Sequence, residues 1–161
     1  MKGANNILLF IFTRIIHRCG EFVAILMSIK PKYSRLIFSG VKKYELRKTP
    51  IKARGNEVVV VYESTPTKAV VGYFETKKIV KNSPEAIWTT LKSDIGVSEK
   101  EFFEYFYQKR WGYALKIDNP KLFDRKISLQ ELREVYGHWN PPQNFQYLKE
   151  GLENKLFLKI A

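Results

Sequence analysis

The order of apolar and polar residues predicts short strands with helices inserted between them. An apolar, β-branched run at 22–29 predicts a buried strand. Pro31 follows it and favours a helix over about 31–39, because proline is well tolerated in the first turn of a helix. Gly40 then stands where the end of a helix favours a positive φ. The first unit is therefore a strand, a helix and a glycine turn.

The stretch "KKYELR" alternates and predicts a half-buried strand. Tyr44 and Leu46 share one face, which we expect to lie in the core, whereas Glu45 and Arg47 project together from the other face. Lys42 has the wrong parity for that second face. It joins Glu45 and Arg47 only if the regular strand begins after it and the preceding turn swings its long side chain round.

The rest of the chain continues in the same mixed pattern. Gly72 lies within a predicted strand and indicates a bulge or a close approach of two backbones. Two Ser-x-x-Glu patterns, beginning at Ser98 and Ser128, predict capped helix starts. About six strands without regular strand–helix alternation indicate an α+β fold built on a small, mostly antiparallel β-barrel with inserted helices. The further predicted strands are 57–64, 69–80, 111–118 and 121–128, and the predicted helices lie within 83–95, within 98–109 and after Ser128.

Composition indicates one folded domain, and its charge fits either an anionic partner or a soluble protein with a basic surface. The chain has 161 residues, of which 45% are hydrophobic, and this suits a single domain over 23–161. It carries 28 basic against 16 acidic residues, and the net charge of +12 attracts phosphate backbones or anionic lipid headgroups. Cys19 is the one cysteine, and His17 and His138 are the two histidines. A Cys/His metal site is hard to assemble from them, so we expect neither a metal nor another cofactor.

The first 22 residues differ from the rest of the chain. Their apolar run, 7–12, is followed by Arg14 and Arg18, so it is too short and too charged to span a bilayer, and no good cleavage site comes after it. We expect a cytoplasmic protein without a membrane partner. Residues 1–22 are interpreted as an extension, either a start-site artefact with translation beginning at Val23 or a weak amphipathic segment.

One motif resembles a known family. Gly40, Lys42, Glu45 and Arg47 stand as G-x-K-x-x-E-x-R, which resembles the signature of the ASCH domain of the PUA-like superfamily, in its archaeal type. The resemblance covers residues 23–149. It implies a PUA-like β-barrel whose cleft is lined by the motif and binds RNA or a modified nucleotide. The nucleotide-loop patterns G-x-x-x-x-G-K and G-x-G-x-x-G are missing from the sequence.

The chemistry of the motif fits a nucleotide ligand. Arg47 offers a planar fork for phosphate or a guanine edge, Lys42 a mobile charge, and Glu45 an acceptor for either cation or for a base amino group. Lys48 extends the positive charge, and Gln143 is a candidate from the closing segment of the resemblance, residues 141–148. The main hypothesis is binding of single-stranded RNA or a nucleotide, with a role in RNA metabolism or transcription. A weak surface ion pair is the structural alternative.

Three other activities stay open. The first is an amidohydrolase acting on an acetylated nucleoside such as N4-acetylcytidine, with Lys42 and Glu45 as catalytic residues. The family members with that activity carry threonine where this chain has Glu45, and a neighbouring carboxylate favours a charged lysine, which argues against a lysine base. The second is a ribonuclease, although no histidine lies near the motif in sequence. The third is a regulator that binds duplex DNA.

Overall fold

The computed structural model describes residues 24–52, 55 and 57–148, which form eight strands and four helices. The predicted extension, residues 1–22, lies outside the described residues. The strands are β1 (Ile25–Ile29), β2 (Tyr44–Arg47), β3 (Glu57–Glu63), β4 (Ala69–Thr76), β5 (Ile79–Asn82), β6 (Gly112–Lys116), β7 (Asp118–Ser128) and β8 (Phe145–Tyr147). The helices are α1 (Pro31–Phe38), α2 (Pro84–Leu91), α3 (Glu99–Tyr105) and α4 (Leu129–Tyr136).

The strands form two sheets. The larger sheet has the order β7-β4-β3-β1-β8, and the smaller has the order β2-β6-β5. The pairing of β1 with β3 is parallel, and the other five pairings are antiparallel. The predicted α+β class and the mostly antiparallel pairing are confirmed. Within the described part of the chain, however, the ladders leave two separate sheets and do not close into one barrel.

The gap between the sheets is bridged by a side chain of β2. Arg47 Nη2 donates to the carbonyl oxygen of Ser28 on β1 at 3.1 Å, and Arg47 Nη1 donates to Asn144 Oδ1, just before β8, at 2.6 Å. β2 is an edge strand of the smaller sheet. The guanidinium therefore makes the connection that backbone pairing would make in a closed barrel.

Two strand boundaries predicted from sequence are wrong. The predicted strand 69–80 is two strands in different sheets, β4 and β5, separated by the exposed residues Lys77 and Lys78. The predicted strand 121–128 begins earlier, at Asp118, and runs through Pro120. A proline is accepted there because β7 is an edge strand and needs no donor on its outer side.

Gly72 fulfils the structural prediction made for it. The register between β4 and β7 shifts between Val70 and Gly72, which marks an irregularity of the bulge type. A Cβ atom at Gly72 would lie 2.3 Å from the carbonyl oxygen of Lys121 and 2.9 Å from the ring of Phe38. Glycine is required there because a backbone and a side chain both approach too closely for any other residue.

Apolar side chains bury both faces of the larger sheet. Along β1, Ile25 and Met27 pack into one core cluster with Phe74, whereas Leu26 packs into the cluster on the opposite face with Tyr62. A third cluster lies under α2 and α3, against the smaller sheet. Its members are Leu46, Ile87, Ile95, Phe102, Phe106 and Ala114. The alternation of β2 thus places Leu46 in the core, as predicted.

Side chains cap three of the helix starts. The predicted capping boxes are both present, one between Ser98 and Glu101 at α3 and one between Ser128 and Glu131 at α4. Ser83 caps α2 by accepting a hydrogen bond from the backbone of Ala86. Helix α1 has no side-chain cap. None of the helices in the described residues is long and apolar enough to cross a membrane.

Candidate functional site

A cleft of about 430 Å³ opens where the two sheets meet α1 and α3. Its lining includes all five ligand-binding residues predicted from the sequence: Lys42, Glu45, Arg47, Lys48 and Gln143. Gly40 lies outside the lining, two residues after α1, with φ at 77°. The volume is within the usual range of small-molecule sites.

Three charged side chains form a buried cluster on one wall of the cleft. Lys42, Glu45 and Arg47 are 3%, 6% and 6% exposed, although charged residues are rarely buried unless they are paired. Glu45 Oε1 accepts a hydrogen bond from Arg47 Nη2 at 2.9 Å, and Glu45 Oε2 lies 3.7 Å from Lys42 Nζ. The carboxylate is therefore placed between the two cations. We call these three residues the ionic triad.

The turn after α1 brings Lys42 to the triad despite its sequence parity. The backbone N–H of Lys42 donates to the carbonyl oxygen of Leu36 at 2.9 Å, which folds the chain back on the helix after Gly40. Lys42 Nζ then donates to the carbonyl oxygen of Ile95 at 2.7 Å. The ammonium group is thus held from two sides, by the Ile95 carbonyl and by Glu45.

Arg47 is held by residues far away in sequence. Besides its bond to Glu45, its guanidinium contacts Ser28 of β1 and Asn144 before β8. The side-chain amide of Asn144 also donates to Thr49 Oγ1 at 3.2 Å. Arg47 Nε is buried and has no hydrogen-bond partner in the described part of the chain. One donor of a residue that lines the cleft is therefore left unpaired.

Burial changes the protonation chemistry of Lys42. Loss of solvation lowers the pKa of the Lys42 amine, the charge of Glu45 opposes this, and the charge of Arg47 adds to it. A neighbouring carboxylate was expected to keep this lysine charged, but burial acts in the opposite direction and has the larger effect on its pKa. The lowered pKa makes Lys42 a better candidate base than the sequence indicated.

Aromatic rings form further walls of the cleft. The ring centre of Tyr33, on α1, lies 5.6 Å from Lys42 Nζ, and Lys48 Nζ lies 4.5 Å from the ring centre of Tyr105, on α3. The hydroxyl of Tyr105 donates to the carbonyl oxygen of Leu46, and burial raises the pKa of Tyr105. A base and a charged group could contact the rings and the triad at the same time.

Sequence reasoning missed several lining residues. Asn144 follows the predicted candidate Gln143 directly, but it is Asn144 that holds Arg47. Tyr33 on α1 and Tyr105 on α3 also line the cleft, and neither was among the site residues predicted from the sequence. Lys32 next to Tyr33 is a weak sequence signal for a site, and Tyr105, between Glu104 and Phe106, has no such neighbour. No group of three or more His, Cys, Asp or Glu residues placed to hold a metal occurs among the described residues.

Comparisons with known proteins connect this chain to a family. A family profile described as "Domain of unknown function (DUF365)" matches residues 22–140. An "ASCH domain-containing ribonuclease" of Zymomonas mobilis is 27% identical over 133 residues, which cover 81% of this chain and 87% of that protein. The crystal structure of ASCH from Zymomonas mobilis superposes with a TM-score of 0.76 at 25% identity, covering 83% of this chain and 92% of that one.

A second relative is a much longer protein. The large ribosomal subunit protein uL22 of Ureaplasma parvum serovar 3 is 30% identical over 129 residues. The match covers 78% of this chain but only 39% of that protein. The chain therefore corresponds to one part of that ribosomal protein.

Proposed function

Because this chain belongs to the DUF365 family and is an ASCH-type domain, we propose that it binds single-stranded RNA and holds one unpaired nucleotide in the cleft. The observation that carries the proposal is the buried ionic triad beside aromatic walls. Two cations face one carboxylate, so this wall favours an anionic group such as a phosphate. The faces of Tyr33 and Tyr105 suit a base that has left its stack.

The names of the relatives support RNA as the ligand. One relative is named a ribonuclease, and another is a ribosomal protein. The net charge of +12 agrees with a polyanionic partner. A single-stranded ligand is favoured over a duplex because the cleft is of nucleotide size and a base can enter it only when unpaired.

Adjacent lysines offer a matched test of binding. Lys42 is buried in the cleft, whereas Lys43 is exposed and pairs with Asp94 at 2.9 Å, away from the lining. Fluorescence anisotropy with a labelled octauridine compares the wild type with Lys42→Met and Lys43→Met. We expect about a tenfold loss of affinity for Lys42→Met and less than about twofold for Lys43→Met, since tenfold corresponds to about 1.4 kcal/mol of lost contact. Thermal unfolding of both variants verifies that each is folded.

Two results would refute RNA binding at this cleft. One is an octauridine that the wild type does not retain even at low salt, where phosphate contacts are strongest. The other is equal affinity for Lys42→Met and Lys43→Met. Tighter binding of a duplex DNA of the same length would instead favour the duplex-binding regulator.

A second proposal is that the bound RNA is cleaved in the same cleft. The specific support is the lowered pKa of Lys42 together with the name of the ribonuclease relative. In its neutral form the Lys42 amine takes the proton of a ribose 2′-hydroxyl. The 2′ oxygen then bonds to phosphorus, and the bond from phosphorus to the 5′ oxygen breaks as that oxygen takes a proton from water. The hydroxide left behind takes the proton from the Lys42 ammonium, which restores the neutral amine. The products are a 2′,3′-cyclic phosphate and a 5′-hydroxyl end.

Product analysis separates cleavage from deacetylation. Both oxygens of Glu45 are engaged by Arg47 and Lys42, so a role in positioning a hydrolytic water would compete with two ion pairs. This observation favours RNA binding and cleavage over hydrolysis of N4-acetylcytidine. Mass spectrometry of incubated octauridine should show cyclic-phosphate ends that Lys42→Met does not produce. RNA that stays intact under single-turnover conditions would indicate binding without cleavage. Acetate released from N4-acetylcytidine would support the amidohydrolase.

A further inference from the structure

A second groove continues from the cleft along the first turn of α1. It has a volume of about 550 Å³ and lies between that turn and the connection from β3 to β4. Lys30 and Ser64 line both the groove and the cleft, so the two cavities are contiguous. The groove offers three cations, Lys30, Lys32 and Arg35, and three hydroxyl groups, from Ser64, Thr65 and Thr67.

The charges of this groove are largely uncompensated. Lys30 and Arg35 are exposed and form no ion pair with the described residues, and the groove lining contains no carboxylate. Lys32 is different, because its Nζ contacts Glu101 Oε1 at 2.5 Å. Helix α1 has no side-chain cap and no acidic residue in its first turn, so its positive end adds to the same potential. The uncompensated positive charge of the groove therefore favours an anionic ligand.

We infer that this groove binds the phosphate of the nucleotide next to the one in the cleft, so that the ligand is a strand of two or more nucleotides. The inference rests on the proposed function, because it takes the first nucleotide to occupy the cleft. Lys30 lies at the junction of the two cavities and can contact the linking backbone. Arg35 and the threonine hydroxyls hold the next phosphate, since phosphate groups are bound by arginine, lysine and hydroxyl donors.

The inference predicts a dependence on strand length that the cleft alone does not. A mononucleotide fills only the cleft, whereas a dinucleotide or a longer strand also places a phosphate in the groove. Affinity should therefore rise about tenfold from uridine 3′-monophosphate to a triuridine carrying the same end group. That factor corresponds to about 1.4 kcal/mol, which one charge-assisted phosphate contact can supply.

The test compares two single substitutions that remove the same charge. Arg35→Gln removes a cation that lines the groove and not the cleft. Lys77→Gln removes one exposed cation from the turn between β4 and β5, which lines neither cavity. Anisotropy with labelled octauridine is measured between about 50 and about 200 mM salt, where phosphate contacts weaken steeply. Unlabelled uridine 3′-monophosphate is tested as a competitor.

We expect Arg35→Gln to lower octauridine affinity about tenfold and to reduce the salt slope by about 0.7, the value for one phosphate contact on a single strand. It should leave competition by uridine 3′-monophosphate unchanged, because Arg35 does not line the cleft. Equal effects of Arg35→Gln and Lys77→Gln would overturn the inference while RNA binding in the cleft stands. If the wild type does not bind octauridine at all, the proposed function itself is overturned.

Discussion

Replacing Glu45 with glutamine should destabilise the fold strongly, because it leaves two buried cations without their shared counter-ion. Glutamine keeps the shape of the side chain but loses the charge that lies 2.9 Å from Arg47 and 3.7 Å from Lys42. Removing one partner of a buried ion pair costs about 3–5 kcal/mol. Lys42 can relieve part of this by losing a proton, since burial already lowers its pKa. We therefore expect the lower end of the range, about 3 kcal/mol.

Thermal and urea unfolding at neutral pH measure this effect. For a chain of this length, about 1 kcal/mol changes the Tm by about 2–4 °C, so Glu45→Gln should lower the Tm by about 6–12 °C. The matched control is Glu104→Gln, whose carboxylate is 66% exposed and lies 4.0 Å from Lys100. Exposed pairs of this kind contribute less than about 1 kcal/mol, so the control should differ little from the wild type.

A double-mutant cycle identifies the source of the loss. If the cost comes from unpaired charge, Lys42→Met should recover part of the stability lost in Glu45→Gln, because it removes one of the two repelling cations. Additive effects would show that the two side chains are not coupled. A loss below about 1 kcal/mol for Glu45→Gln alone would refute the view that the triad is held together by its charges.

Three further predictions concern pH and packing. Burial lowers the pKa of Lys42 in the folded state below 10.5, its ordinary value in the unfolded chain. At pH values between the folded and the unfolded pKa, the unfolded chain binds more protons, so the free energy of unfolding increases as the pH rises. In urea unfolding, the wild type should therefore gain stability relative to Lys42→Met through that pH window. Hydrogen bonds from Arg125 and the α4 cap lower the pKa of Glu131 to about 2, so the stability that this carboxylate contributes is present above pH 4.5 and lost towards pH 2. Glu131→Gln should therefore flatten this part of an acid unfolding curve. A curve identical to that of the wild type would contradict the prediction. Gly72→Ala should cost about 1–3 kcal/mol in thermal unfolding, since its Cβ would meet the carbonyl oxygen of Lys121, and a Tm equal to that of the wild type would refute the close approach.

Local features were predictable from the sequence because their causes are local. The capping boxes at Ser98 and Ser128 depend on residues three positions apart. The shared face of Glu45 and Arg47 results from the two-residue period of a strand. The split between β4 and β5 was not predictable, because two exposed lysines do not differ from ordinary polar strand residues. Only the pairing of β5 with β6 in the other sheet decides it.

The burial of the triad is a tertiary effect that no local pattern contains. A surface ion pair and a buried one have the same residues at the same spacing, so the sequence left the surface pair open as an alternative. The partners that distinguish them are distant: Ile95 is 53 positions from Lys42, and Asn144 is 97 positions from Arg47. These contacts exist only because the segments 92–98 and 143–148 return to the strand that carries the motif.

The incomplete barrel and the candidate site have one structural cause. A closed barrel would pair the free edge of β2 with the larger sheet and fill the space between them with backbone hydrogen bonds. Here that connection is made by the guanidinium of Arg47, which reaches Ser28 and Asn144 across the gap. A side-chain bridge is longer than a backbone pairing, so it leaves room for a cleft at the junction, and the bridging cation itself becomes part of the wall. Substitution of Arg47 should therefore weaken both the packing of the two sheets and the proposed binding of RNA, whereas substitution of Lys48, which lines the cleft without bridging the sheets, should affect the proposed binding alone.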